Sequence, residues 1–217
     1  MAKIIGFDIE TVPQVLPLSK SQEKWLLNKV APAMDKSRPE ETEEEIKNRI
    51  MGTSPYLGEI VCIGVGEILP SGEIQTKSLI GDEKTILKNF WEGIKHVSQP
   101  VFVSFNGLKF DTNFIIIRSI HHGIAPTNRE FLNTIKFRKA PHYDVMQWLS
   151  DWNWPAPTLD LACDLVGVVT PKGGNIEAKD VARAFSEGKI KEIAAYCERD
   201  VKATLEVYLK IKNYIRD

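Results

Sequence analysis

KIIGFDIET, running from Lys3 to Thr11, alternates Ile5, Phe7 and Ile9 with Ile4, Gly6, Asp8 and Glu10. Both faces of the run are apolar until Asp8, which predicts a strand at the centre of a sheet whose last pleats turn polar on one side. Asp8 and Glu10 are two residues apart, so they share that side.

Outward from this strand, extended and helical patterns alternate. Val12 to Pro55 is irregular and proline-bearing, with helix-like pieces in SKSQEKWLLNKV (19–30) and PEETEEEIKNRI (39–50). The second piece has few apolar anchors and reads as a solvated helix in an insertion. EIVCIGVGEIL (59–69), PSGE and IQTKSLI (74–80) read as two strands joined by a turn. In DEKTILKNFWEGIKHV (82–97), Ile86, Leu87, Phe90, Trp91 and Ile94 make one helical stripe behind Asp82, a helix-start residue. PVFVSFNG is a further strand, and FIIIRSI a further helix, preceded by Asp111. Shorter elements follow at HYDVMQWL, TLDLACDLVGV and IEAKDVARAFSEG. The last stretch, 189–215, carries Ile193, Tyr196, Cys197, Asp200, Val201, Thr204, Leu205 and Tyr208 at helical spacing.

The 217 residues suit one domain, 1–217, with an insertion at about 13–56. Hydrophobic residues make up 43% and charged residues 26%, which supplies a core and excludes a disordered or fibrous chain. With 28 Lys+Arg against 29 Asp+Glu, the chain lacks the basic surface of a non-specific nucleic-acid coat protein. A nucleic-acid enzyme with a local groove stays open. Cys62, Cys163 and Cys197 are isolated, offering neither a disulfide framework nor a CxxC knuckle, and fit a reducing compartment. No run approaches the roughly 18 apolar residues of a membrane span, and a strand starting at Lys3 leaves no room for a signal peptide. The expectation is a soluble, cytoplasmic protein without a membrane partner.

Four acids fall where the apolar pattern expects core-facing or strand-end positions: Asp8, Glu10, Asp111 and Asp200. Singly, each has an ordinary explanation: a wet strand end for Asp8 and Glu10, a helix cap for Asp111, a solvated helix face for Asp200. If they converge, two unit charges 4 Å apart repel by roughly 4 kcal/mol at an effective dielectric near 20. A cation must then sit among them. All-oxygen ligands select Mg²⁺ or Mn²⁺, and no His or Cys cluster offers a softer set. A pair of such ions is an arrangement for phosphodiester hydrolysis.

FDIET at Phe7–Thr11, NGLKFD at Asn106–Asp111 and YCERD at Tyr196–Asp200 resemble the three motifs of the DEDD 3′→5′ exonucleases, D-x-E, N-x-x-x-[FY]-D and Y-x-x-x-D. Ala195 stands where the sister subclass needs a histidine, so the resemblance is to the DEDDy subclass. The wider chain, including HYDVM and the tail from Gly173 to Thr204, is similar to the stand-alone predicted exonucleases related to the proofreading domain of family B DNA polymerases.

That resemblance implies an α/β, ribonuclease H-like fold of three layers, a mixed central sheet with helices on both faces. It implies two divalent cations, Mg²⁺ or Mn²⁺: Asp8 would bridge both, Glu10 and Asp200 would help hold the one carrying the attacking water, and Asp111 would act on the second through waters. Tyr196 would aim that water; a phenol with a reference pKa of about 10 is neutral at pH 7, which suits positioning and not proton abstraction. Glu10 would also touch the terminal 3′ hydroxyl. Thr11, Asn106 and Phe110 would line the slot for the terminal nucleotide, although Phe110 reads equally as a core aromatic beside Phe114. The implied reaction is metal-dependent removal of nucleotides from the 3′ end of single-stranded DNA. An exoribonuclease and a catalytically silent nucleic-acid-binding module are the alternatives. The implied partner is a nucleic acid with a free 3′ end, with a separate polymerase or repair protein beside it, since the length leaves no room for a polymerase region.

Other features have more ordinary readings. Arg118, Arg129, Lys136, Arg138 and Lys139, with His121, His122 and His142, form the best candidate for a phosphate-tracking patch, or plain solvated surface. Trp152 and Trp154 read as packing before base stacking, Asp144 as a helix cap before a fifth ligand, Cys197 as a core thiol, and Lys172 with its glycines as a turn.

Overall fold

The computed structural model describes residues 2–15, 17–34, 41–153, 155–173 and 176–214. Trp154, Gly174 and the outer ends of two helix-like segments, Pro39 and Ile215, lie outside the described residues. Five strands, β1 (Lys3–Pro13), β2 (Gly58–Ile68), β3 (Ile74–Ile80), β4 (Pro100–Ser104) and β5 (His142–Asp144), form one mixed sheet in the order β3-β2-β1-β4-β5. The strand read as central is central: β1 pairs antiparallel with β2 on one edge and parallel with β4 on the other. Its register with β2 shifts between Glu10 and Thr11, a bulge that re-aims the strand just past the two acids.

The helices are α1 (Lys20–Met34), α2 (Glu43–Gly52), α3 (Glu83–Ile94), α4 (Asp111–His121), α5 (Val145–Leu149), α6 (Leu159–Val166), α7 (Val181–Ser186) and α8 (Ile190–Ile211). On one face of the sheet, Ile5, Phe7 and Ile9 meet the α3 stripe Ile86, Leu87, Phe90 and Trp91 together with Phe114 and Ile115 of α4. Each such side chain, fully buried, is worth about 1.5–3 kcal/mol. Asp82 caps α3 by accepting the Thr85 N–H at 3.1 Å. The opposite face takes α8. A β-carbon on Gly64 would lie 2.8 Å from Cys197 Sγ and 2.9 Å from Val201 Cγ2, so only glycine lets α8 rest directly on β2. Ser78 on β3 donates to Glu198 of α8 at 2.7 Å and fixes the helix's rotation. The result is an α/β architecture, a sheet between two helical layers.

Between β1 and β2, α1 and α2 are better anchored than their composition suggests. Thr42 and Glu45 form a reciprocal capping box at the start of α2, and Ile46 joins Leu26, Val30 and Leu57 in a small core of its own. Among the described residues, no helix is long and apolar enough to cross a membrane.

Candidate active site

Gly6, whose missing side chain lies against Leu205 of α8, fixes which face of β1 looks at α8, and Asp8 and Glu10 follow it at the two-residue period. From α8, Cys197 and Val201 point into the core while Tyr196 and Asp200 flank them, as four-residue spacing requires. The helix therefore carries Asp200 to the two strand acids.

Asp111 arrives from the other side. It does not cap its helix: Phe110 occupies the N-cap without a side-chain bond, and Asp111 is the first residue of α4. Its Oδ1 instead accepts the backbone N–H of Ile9 at 3.0 Å. That bond joins the second motif to the first and sets the carboxylate, 3% exposed, beside Asp8.

The loop before Asp111 is held by Asp144. This fully buried residue caps α5 by accepting the Gln147 N–H at 3.2 Å, and it also accepts the N–H groups of Asn106 at 2.9 Å and Leu108 at 3.1 Å. The cap was legible in the sequence, whereas the grip on the loop was not; its signal is that Asp144 ends β5 directly opposite Ser104, the last residue of β4. Gly107 completes the turn, because a β-carbon would fall 2.3 Å from Ser104 Oγ. Asn106 sits at φ 64° with its Oδ1 buried and unbonded. Phe110 lies against Phe114, ring centres 5.5 Å apart. The Thr11 hydroxyl donates to Gly52 O at 2.7 Å.

The cluster is electrostatically unresolved. Burial pushes the Asp8 carboxyl well above the carboxylate range, and the charges of Asp111, Glu10 and Asp200 push it further. Glu10 is raised by burial and then by Asp200. Burial lifts Asp111 to about 7 and Asp200 to about 6. Tyr196 is driven upward by burial and by Asp200, Glu10 and Asp8, so its hydroxyl stays neutral. Cys197 is raised by its Cys62 neighbour, by burial and by Asp8; as a protonated thiol, its Sγ donates to Asp8 Oδ2 at 3.5 Å.

Asp8, Glu10 and Cys197 present ligand atoms within 4.8 Å of one another. A thiol held protonated is a poor ligand, which leaves an oxygen set suited to a hard dication. Asp200 Oδ1 is buried without a hydrogen-bond partner, an orphaned acceptor that such an ion would satisfy. The residues present fit divalent metal.

Part of the basic patch turns inward, while Arg129, Lys136 and Arg138 stay exposed. Arg118 is 5% exposed and forms a two-pronged ion pair with Glu83 at 2.8 and 2.6 Å, and His122 bonds the same carboxylate at 2.6 Å. His142 is buried with Nε2 on the Phe131 carbonyl at 2.8 Å. These side chains serve the core. Trp152 packs against Phe137 and Trp148, and Lys172 pairs with Asp160.

Residues 55–216 match a family model described as "Predicted 3'-5' exonuclease related to the exonuclease domain of PolB". A stretch of 76 residues is 33% identical to the catalytic chain of DNA polymerase epsilon from Dictyostelium discoideum, covering 31% of this chain and 3% of that protein. The family B DNA polymerase of Pyrobaculum calidifontis superposes with a TM-score of 0.62 at 16% identity, over 99% of this chain and 25% of the polymerase. The chain thus spans a small part of each polymerase, and the sheet and its covering helices are what it shares with the archaeal one.

Proposed function

The chain belongs to the family of predicted 3′–5′ exonucleases related to the exonuclease domain of PolB, and from that premise we propose that it removes nucleotides one at a time from the 3′ end of single-stranded DNA. The observation that carries the reading is the convergence of Asp8, Glu10, Asp111 and Asp200, each raised above the ordinary carboxylate range. The polymerase names among its relatives favour DNA over RNA.

In this reading Asp8, Glu10, Asp111 and Asp200 hold two divalent cations, Mg²⁺ or Mn²⁺. When bound, the ions supply a nucleophile at neutral pH and stabilise charge on the leaving oxygen. Asp8, which feels the charges of the other three, would help hold both ions. Ile9 N–H fixes the Asp111 carboxylate, so that ligand needs no reorganisation when substrate arrives. Tyr196, neutral and beside Asp200, orients the attacking water through its hydroxyl and takes no proton. Asn106 Oδ1 is a buried acceptor without a partner that the terminal nucleotide would satisfy, and Phe110, half-buried against Phe114, would line the same slot. Thr11, with its hydroxyl committed to Gly52, contributes backbone and methyl to the same slot.

The test is a time course on 5′-labelled single-stranded DNA and RNA with Mg²⁺, Mn²⁺ or EDTA. A ladder shortening from the 3′ end, on DNA and only with metal, is expected. An internal cut, a metal-independent ladder or a preference for RNA would overturn the corresponding part of the reading.

A further inference from the structure

The family match begins at residue 55, so α1 and α2 fall outside it, yet they form a built feature beside the site. An open groove of about 380 Å³ lies between them, lined by Trp25 and Lys29 of α1, Ile50 at the end of α2, and Thr53 and Tyr56 in the turn that follows. Trp25 and Tyr56 meet edge-on with ring centres 6.3 Å apart, and Lys29 Nζ lies 5.6 Å over the Trp25 ring. Tyr56 is 56% exposed.

The groove is tied to the end of β1 at both sides. Thr11, the residue after Glu10, donates to Gly52 O at 2.7 Å, one position before the groove-lining Thr53. Gln14 N–H reaches Leu57 O at 2.9 Å, one position after Tyr56. Gln22 of α1 clamps the turn from above, its Nε2 donating to Tyr56 O at 2.9 Å. Thr11 and Gln14 thus link the strand that carries Asp8 and Glu10 to this turn.

We propose that the groove binds single-stranded nucleic acid upstream of the 3′ end, with one or two bases stacked on Tyr56 and Trp25 and the backbone drawn by α1. Two aromatic faces with a cation above one of them suit bases of any sequence, since every base has a π-face. The charge agrees: α1 carries Lys20, Lys24 and Lys29 against Glu23, and among the described residues none of the three lysines is in an ion pair. A plain apolar peptide would leave Lys20 and Lys24 without a partner of opposite charge. The proposal deepens the exonuclease reading and rests on it for direction, while the binding it describes is measured without turnover.

The test is fluorescence anisotropy of 5′-fluorescein-labelled dT₁₂, rU₁₂ and dT₃ with the full chain in EDTA, where no hydrolysis runs. Wild type should hold the twelve-mers more tightly than the trimer. Tyr56→Ala should weaken twelve-mer binding about tenfold, the effect of losing one stacked base, and Tyr56→Phe, which keeps the ring, should restore it. Lys29→Ala should weaken binding and flatten its salt dependence. No gain from trimer to twelve-mer, unchanged binding in Tyr56→Ala, or a dimer of the chain that Tyr56→Ala dissolves would overturn the proposal. The 3′ ladder is scored separately: a ladder with no effect of Tyr56 sinks only the groove, and groove-dependent binding without a ladder sinks only the exonuclease.

Discussion

Two buried acidic centres sit in one small fold, and they solve the same problem in opposite ways. At the start of α3, Glu83 accepts the Ile60 N–H at 2.7 Å, a forked pair of bonds from Arg118 and a third contact from His122. Burial alone would raise its pKa, but these partners pull it below the ordinary value. At the end of β1, Glu10 and Asp111 are buried and Asp8 and Asp200 half-buried, none of the four carboxylates is in an ion pair among the described residues, and desolvation raises all four. A buried charge that is paired belongs to the scaffold; a buried set left unpaired marks a place prepared for something from outside.

Removing a member from each centre separates them most sharply. Asp8→Asn should lower hydrolysis of single-stranded DNA by at least about 10³-fold, roughly 4 kcal/mol of barrier, with no loss of thermal stability in EDTA. Glu83→Ala should do the reverse: it strands Arg118 in the core and costs about 3 kcal/mol of stability in denaturant titration, while the folded fraction still cuts. A stability loss in Asp8→Asn comparable to that of Glu83→Ala would erase the distinction.

Metal sharpens the contrast at smaller scale. Mn²⁺ at about a hundred times its dissociation constant should stabilise wild type by roughly 2.7 kcal/mol, read as a rise in Tm, and should do so equally in His142→Gln but not in Asp200→Asn. Proton linkage runs in opposite directions at the two centres. Asp111 is raised from 3.8 to about 7, so its penalty is full above pH 7 and is relieved as pH falls through 7 toward 4. Glu83 is lowered, so its contribution is present above its ordinary value of 4.5 and is lost as pH falls below it. In EDTA, Asp111→Asn should therefore be more stable than wild type at pH 8, with the advantage shrinking by pH 5.5; Tm against pH for the two proteins checks this. The smallest effect is at Tyr196→Phe, where loss of one positioning hydroxyl should reduce kcat about tenfold or less and leave Mn²⁺ binding intact.

Much of this was legible in the residue order, for local reasons. The alternation in KIIGFDIE and the four-residue spacing of Tyr196 and Asp200 are short-range patterns, and they placed three acids on the correct faces of β1 and α8. The α3 stripe was equally plain, and its members are buried. What sequence reasoning missed was made by partners far apart in the chain. Asp111, named as a site acid by its motif, read as a cap when taken singly, because the Ile9 N–H it accepts is 102 residues away. Arg118 looked like surface charge because Glu83, 35 residues upstream, neutralises it. The grip of Asp144 on the Asn106–Leu108 loop depends on β4 and β5 ending side by side. The groove between α1 and α2 depends on the hydrogen bonds that strap Gly52 and Leu57 to β1, which no periodicity announces.

The account stands on the unpaired cluster being a cation site, and calorimetric titration of Mn²⁺ into the full chain at pH 7.5, wild type beside Asp8→Asn, tests that most directly. Saturable binding of two ions per chain that Asp8→Asn abolishes is the predicted result. No saturable binding, or the same isotherm from both proteins, would contradict it.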